Sequence, residues 1–162
     1  MTFLDFGLCK RFSDAEVLVF ERMIRAIVLD RDLGAYRRIL DEIGILPASL
    51  EVSDELLADY FTHFYEFVMD DEVLEITPEW SSRSVRAFFD LSGPHAGIMK
   101  AANLPPPMVI IQRINLGLFA LFGDLGARNN WRRIAEELWP FVDAEPSTPM
   151  GEAIAAWAQR RS

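Results

Sequence analysis

The sequence predicts an all-α, or nearly all-α, single domain over residues 1–162. Three observations lead there. Helix-start signals recur at Ser13, Asp32, Ser53, Thr77, Asn129 or Asn130, and Thr148. The apolar residues between them repeat at three- and four-residue spacing, and strand-type alternation is almost absent. At 51% hydrophobic residues, the chain can bury a sizeable core.

Ser13-Asp14-Ala15-Glu16 has the capping-box pattern, in which a hydroxyl and a carboxylate satisfy orphan backbone donors. Phe20, Met23, Ile24, Ile27 and Val28 follow at helical spacing, and this helix should end near Asp30. Asp32 caps a second helix with Tyr36, Ile39, Leu40 and Ile43 as its buried stripe, and Gly44 suits a left-handed C-cap. Pro47 and Ser49 read as a loop. Ser53 starts a third helix with Leu57, Tyr60, Phe61, Phe64 and Val68 inward, which finishes at the solvated run Asp70-Asp71-Glu72.

Thr77-Pro78 opens a fourth helix carrying Trp80, Val85, Phe88 and Phe89. Ser92-Gly93-Pro94 breaks it, and a short helix over 97–102 follows. Leu104-Pro105-Pro106-Pro107 is a stiff connector into a long apolar helix through Ile110, Ile114, Leu118 and Leu121. Gly117 offers a close helix crossing, while Gly123 and Gly126 mark the exit. Trp131, Ile134, Leu138 and Trp139 belong to the next helix, limited by Pro140. Thr148-Pro149 opens the last one, with Ile154 and Trp157 on one side. The single strand candidate is Thr2 to Asp5, which would need a partner.

The formal net charge of −9 disfavours binding to phosphate backbones, so no nucleic-acid partner is expected. Arg128, Arg132 and Arg133, like Arg160 and Arg161, read as solvated helix ends. Cys9 is the one cysteine, which excludes an internal disulfide and fits a reducing, cytoplasmic compartment; it reads as packed or idle. Met1 to Leu8 is too short for a secretory leader and lacks basic residues. Met108 to Phe122 is interrupted by Gln112, Arg113 and Asn115, and falls short of the roughly 20 apolar residues of a membrane span. It reads as a buried core helix, with contact at a membrane periphery as the alternative.

The strand candidate ends in Asp5-Phe6-Gly7, and a long capped helix follows. A strand running into this tripeptide is the metal-binding element of protein-kinase-like folds. The aspartate holds Mg2+ against nucleotide phosphates, the aromatic packs beneath it, and the glycine tolerates the backbone angles that aim the carboxylate.

From Leu4-Asp5-Phe6-Gly7 onward the chain resembles the C-terminal portion of UbiB/AarF-family atypical kinases. The likeness continues through the capped helix at Ser13, the Asp30-Arg31-Asp32 turn into a helix ending at Gly44, and Leu104-Pro105-Pro106 leading to a helix bearing Arg113. It implies the helical C-lobe of a protein-kinase-like fold, with at most one short N-terminal strand. Asp5, Phe6 and Gly7 would be cofactor-binding residues at an ATP site, with Asp5 as the Mg2+ ligand. The family is associated with ATP binding, phosphoryl transfer or ATPase activity, and isoprenoid-quinone and membrane-lipid metabolism.

The lysine, nucleotide loop and catalytic loop of that family lie upstream of its Asp-Phe-Gly and map to nothing here. No Gly-rich phosphate loop or His-Arg-Asp-like loop is present either. The chain alone is therefore expected not to catalyse transfer, and to be a truncated product or one half of a split kinase. Its expected partners are a separately encoded N-terminal kinase half and a membrane or quinone. The alternatives are a non-catalytic helical binding or regulatory module, or a peripheral lipid-associated protein. Arg113 is expected to serve in a structural ion pair.

Asp59, His63 and Glu66 lie four and three residues apart on the third helix, a spacing that could present them to a metal. His95 sits apart in a Gly-Pro loop, so these three read as a solvated polar face.

Overall fold

A computed structural model of the chain describes residues 10–47, 49–87 and 89–160. Asp5, Phe6, Gly7, Cys9, the strand candidate Thr2 to Asp5, Phe88 and Arg161 lie outside the described residues. The described part is mainly helical, as expected. In chain order it runs α1 Asp14–Ile24, α2 Leu33–Glu42, α3 Asp54–Met69, β1 Leu74–Ile76, α4 Pro78–Ala87, α5 Ala96–Ala101, α6 Pro106–Asp124, β2 Ala127–Asn129, α7 Trp131–Leu138 and α8 Pro149–Gln159.

The predicted caps form. Glu16 N–H donates to Ser13 Oγ, and Ser13 N–H donates back to the Glu16 carboxylate at 2.6 Å, closing the capping box. Asp32 accepts from Ala35 N–H, Ser53 from Leu56, Thr77 from Trp80, Asn130 from Arg133 and Thr148 from Gly151. Gly44 ends α2 at φ +73°, where a side chain would be strained. The first helical segment ends near Asp30 as expected, but its last residues, Arg25–Leu29, widen into a π-helical turn that carries Ala26, Ile27 and Val28 into the interior.

α1 with its π turn, α2 and α3 bury the main core, built on Ile27, Tyr36, Leu40, Ile45, Leu57 and Phe61. Tyr36 meets Phe61 edge to face at 5.3 Å. A smaller cluster of Ile76, Trp80 and Phe119 joins α4 to α6. Phe67 and Trp131 pack against both clusters.

A two-stranded antiparallel ribbon, β1 with β2, pairs Leu74 with Asn129 and Ile76 with Ala127. The sequence analysis did not anticipate it. Each strand has only three residues, too few for alternation to register, and the pairing joins segments far apart in the chain.

The last turn of α3 is held by α7. Arg133 Nε donates to Asp71 Oδ1 at 2.7 Å, and Asn130 Nδ2 donates to the same oxygen. Arg132 is mostly buried; it pairs with Glu136 at 2.6 Å and donates to the carbonyls of Val28 at 3.3 Å and Val68 at 3.2 Å. Arg132 is therefore a structural tie rather than a solvated helix end, because the ends of α1 and α3 bring carbonyls to it, whereas Arg133 stays exposed and pairs with Asp71 at the surface.

The long helix α6 also differs from expectation. Ile114 and Leu121, 54% and 52% exposed, lie on its outer side, so it is not a buried core helix. Only Phe119 and Gly123 are fully buried on it. A run that is apolar nearly all round gives no stripe to mark its inner face. The close crossing falls at Gly123: a methyl group there would sit 2.9 Å from Ser81 Cβ on α4 and 3.2 Å from Thr77 O, whereas one at Gly117 would meet nothing within 4 Å. Ile154 and Trp157 on α8 are likewise exposed.

Two predictions follow from this packing. Gly117→Ala should raise stability by up to about 1 kcal/mol through helix propensity. Gly123→Ala should lower it, since overpacking costs about 1–3 kcal/mol and outweighs that gain. Thermal melts of the two variants should shift in opposite directions.

The second concerns Asp71, whose carboxyl is lowered from 3.8 to about 2, chiefly by the hydrogen bonds from Arg133 and then from Asn130. Between those values the unfolded chain binds more protons than the folded one, so stability rises with pH there. The tie contributes fully above the unfolded value of about 3.9 and fades as pH falls through about 2. Urea titrations should show Asp71→Asn less stable than the parent at neutral pH, with the gap closing by the acid end.

Candidate functional site

The fold gathers one chemically distinctive group of side chains. Asp59 and His63, one turn apart on α3, point to one side, where His95 meets them from the residue preceding α5. His95 Nε2 lies 2.8 Å from Asp59 Oδ2, and the two imidazole rings stand edge to face at 5.9 Å. One donor atom from each of the three residues falls within 4.8 Å of the other two.

His95 is the fixed member, at 8% exposure, with its ring against Tyr60 at 5.4 Å. Its carbonyl accepts from Met99 N–H and so also belongs to the first turn of α5. The Asp59 side chain is 65% exposed, and His63 is half-buried. The group is therefore anchored inside and open to solvent at one edge.

The sequence analysis read Asp59, His63 and Glu66 as a solvated polar face, whereas the fold gathers two of them with His95. Glu66 is drawn to Arg83 at 3.2 Å and does not join the group. His95, set apart as a loop residue, takes its place. Helical spacing could reveal Asp59 and His63, but no local signal connects them to a residue on another segment.

A second feature is a mainly apolar cavity of about 150 Å³ between α1–α3 and the start of α6, lined by Met23, Tyr60, Tyr65, Met108 and Ile111, among others. Gln112 and Asn115 are among its polar wall residues. Burial raises the phenol pKa values of Tyr36, Tyr60 and Tyr65, so these hydroxyls remain protonated and supply no base. The cavity suits an apolar group rather than catalysis.

The outer side of α6 presents Val109, Ile114, Leu118, Leu121 and Leu125. By length and composition alone this helix could cross a membrane. Arg113 lies on the same exposed side and makes no ion pair with another described residue. Asp5, Phe6 and Gly7 stand outside the described residues, so their geometry does not enter this site.

No family model, curated protein or solved structure matches the chain.

Since the outer side of α6 is exposed, it should tolerate polar replacement. Ile114→Gln and Leu121→Gln should each change unfolding free energy by less than about 0.5 kcal/mol in urea titration. A loss of several kcal/mol would place that face inside a packed interface.

Proposed function

We propose that the chain is the helical lobe of a UbiB/AarF-type atypical kinase or ATPase, supplying Asp5 as a Mg2+ ligand to an ATP site that a second lobe completes. The observation that carries this reading is Leu4-Asp5-Phe6-Gly7 placed just ahead of the helix capped at Ser13. The mainly helical body is consistent with such a lobe.

The chemistry argues for a second lobe. Phosphoryl transfer relies on positioning and on several charge-stabilising groups acting together. One aspartate supplies a metal contact but cannot cradle the phosphates. Among the described residues, Asp54, Asp70 and Asp71 are paired with Arg37, Arg31 and Arg133. They are committed to holding helices together.

A second reading draws on the apolar outer side of α6: a non-catalytic binding module, or a protein peripheral to a lipid surface. Exposed apolar surface of this kind marks interaction sites. The net charge of −9 favours a protein or uncharged lipid over anionic headgroups.

Calorimetry with Mg-ATP should show no binding to the chain alone, and tight binding would overturn the need for a second lobe. Adding a lobe that carries the lysine and nucleotide loop should create binding that Asp5→Ala removes. Binding and turnover unchanged by Asp5→Ala would overturn the metal assignment. In flotation, association with neutral vesicles that is lost in Leu121→Glu would favour the lipid reading instead.

A further inference from the structure

We propose that Asp59, His63 and His95 form a binding site for a divalent transition metal of the zinc class, and that the bound ion clamps α5 onto α3. The proposal does not depend on the kinase-lobe reading and concerns a different part of the molecule from Asp5.

The convergence is specific. The chain has two histidines in 162 residues, and the fold brings both to one carboxylate. An ordinary Asp–His contact would account for Asp59 and His95, but not for a second imidazole beside them. Tetrahedral zinc with bonds of about 2.0–2.1 Å places its ligand atoms ~3.4 Å apart. The present donor atoms, all within 4.8 Å of one another, bracket that spacing. Bringing a gap of at most 4.8 Å to that spacing requires at most ~1.4 Å of side-chain movement, well within reach of staggered rotamers at the exposed edge. Asp59 and His63 lie on that edge, while His95 is held in place.

The donor set selects the metal class. Two imidazoles and one carboxylate suit Zn2+, Co2+, Ni2+ or Fe2+. Mg2+ and Ca2+ favour all-oxygen surroundings. Three protein ligands leave a position open, and the exposed Asp59 places it towards solvent, where water or a small anionic group could complete the shell. The acidic chain also raises the local concentration of cations.

The clamp gives the ion a mechanical role. α5 has six residues, too few to be stable on its own propensity. Ile98 is its one fully buried residue. Because His95 leads directly into the first turn of α5, a bond from the metal to its imidazole would tie that turn to the middle of α3.

The test uses untagged, chelator-stripped protein titrated with Zn2+ alone and with Co2+ alone. One saturable equivalent of zinc should bind, and cobalt should give intense ligand-field absorption of low-symmetry, imidazole-containing coordination. Excess Mg2+ should not compete. Asp59→Asn and His63→Ala should each weaken zinc binding by at least ~10-fold with unchanged circular dichroism, while Glu66→Gln should leave it intact.

The unaltered chain provides a readout that needs no variant: the imidazole NMR signals of both histidines should shift together with zinc. Amide exchange across α5 should slow at the same time. Absence of saturable binding, binding that survives both ligand substitutions, or histidine signals that stay still would overturn the site. Binding without slower exchange in α5 would overturn the clamp.

Discussion

The structure turns on one guanidinium. The first long helix, through its π turn, and α3 both end where Arg132 lies, and helix ends leave carbonyls unpaired and carry partial negative charge. Two such ends placed together would be unfavourable without a shared donor. Arg132 supplies it through Nη1 to Val28 O and Val68 O, while its Nε is paired with Glu136. A planar fork can face two carbonyls and a carboxylate at once, which a lysine ammonium does less well. The same tie fixes α7, whose Trp131 indole N–H then donates to Leu74 O at 2.9 Å and holds the start of β1.

From that point the packing is ordered outward. With α3 and α7 joined, β1 and β2 meet, and Phe122 stacks on Trp131 at 5.0 Å. That brings the end of α6 against α4, where Gly123 permits the approach and Phe119 packs edge to face on Trp80 and Phe67. α6 is thus held along one side near its C-terminal half. Its apolar outer residues have no described element to cover them, and this is why an apolar helix in this fold is a surface available to a partner or a lipid.

What the sequence made legible was local. A cap is a bond across three residues, so Ser13, Asp32, Ser53, Thr77 and Thr148 could each be read from their immediate neighbours, and the cap of α7 could be narrowed to Asn129 or Asn130. The periodic stripes of α2 and α3 were legible for the same reason. Three things were not. The ribbon depends on Leu74 finding Asn129, and no three-residue strand announces its partner. The inner face of α6 is set by Ser81 and Trp80 on another helix, so the sequence pointed to Gly117 for the close crossing and to Gly123 only for the exit, whereas those neighbours put the crossing at Gly123. At the candidate metal site, α3 displayed Asp59, His63 and Glu66 with equal clarity, and only tertiary structure could exchange Glu66 for His95.

That exchange also explains why this group, among many acidic ones, is suited to a cation. In the other ion pairs between described residues, a carboxylate faces arginine or lysine. A metal entering there must expel a cation that is charged throughout the physiological range, and a guanidinium cannot become a ligand. Asp59 faces an imidazole instead. A metal entering there keeps both groups: the imidazole needs only to be neutral to turn from hydrogen-bond partner into ligand, and the carboxylate exchanges one contact for a stronger one. The second imidazole on the same helix face then adds a bond without any rearrangement of the core. The pairing of a carboxylate with histidine rather than arginine is thus what separates a candidate metal site from the structural ties that surround it.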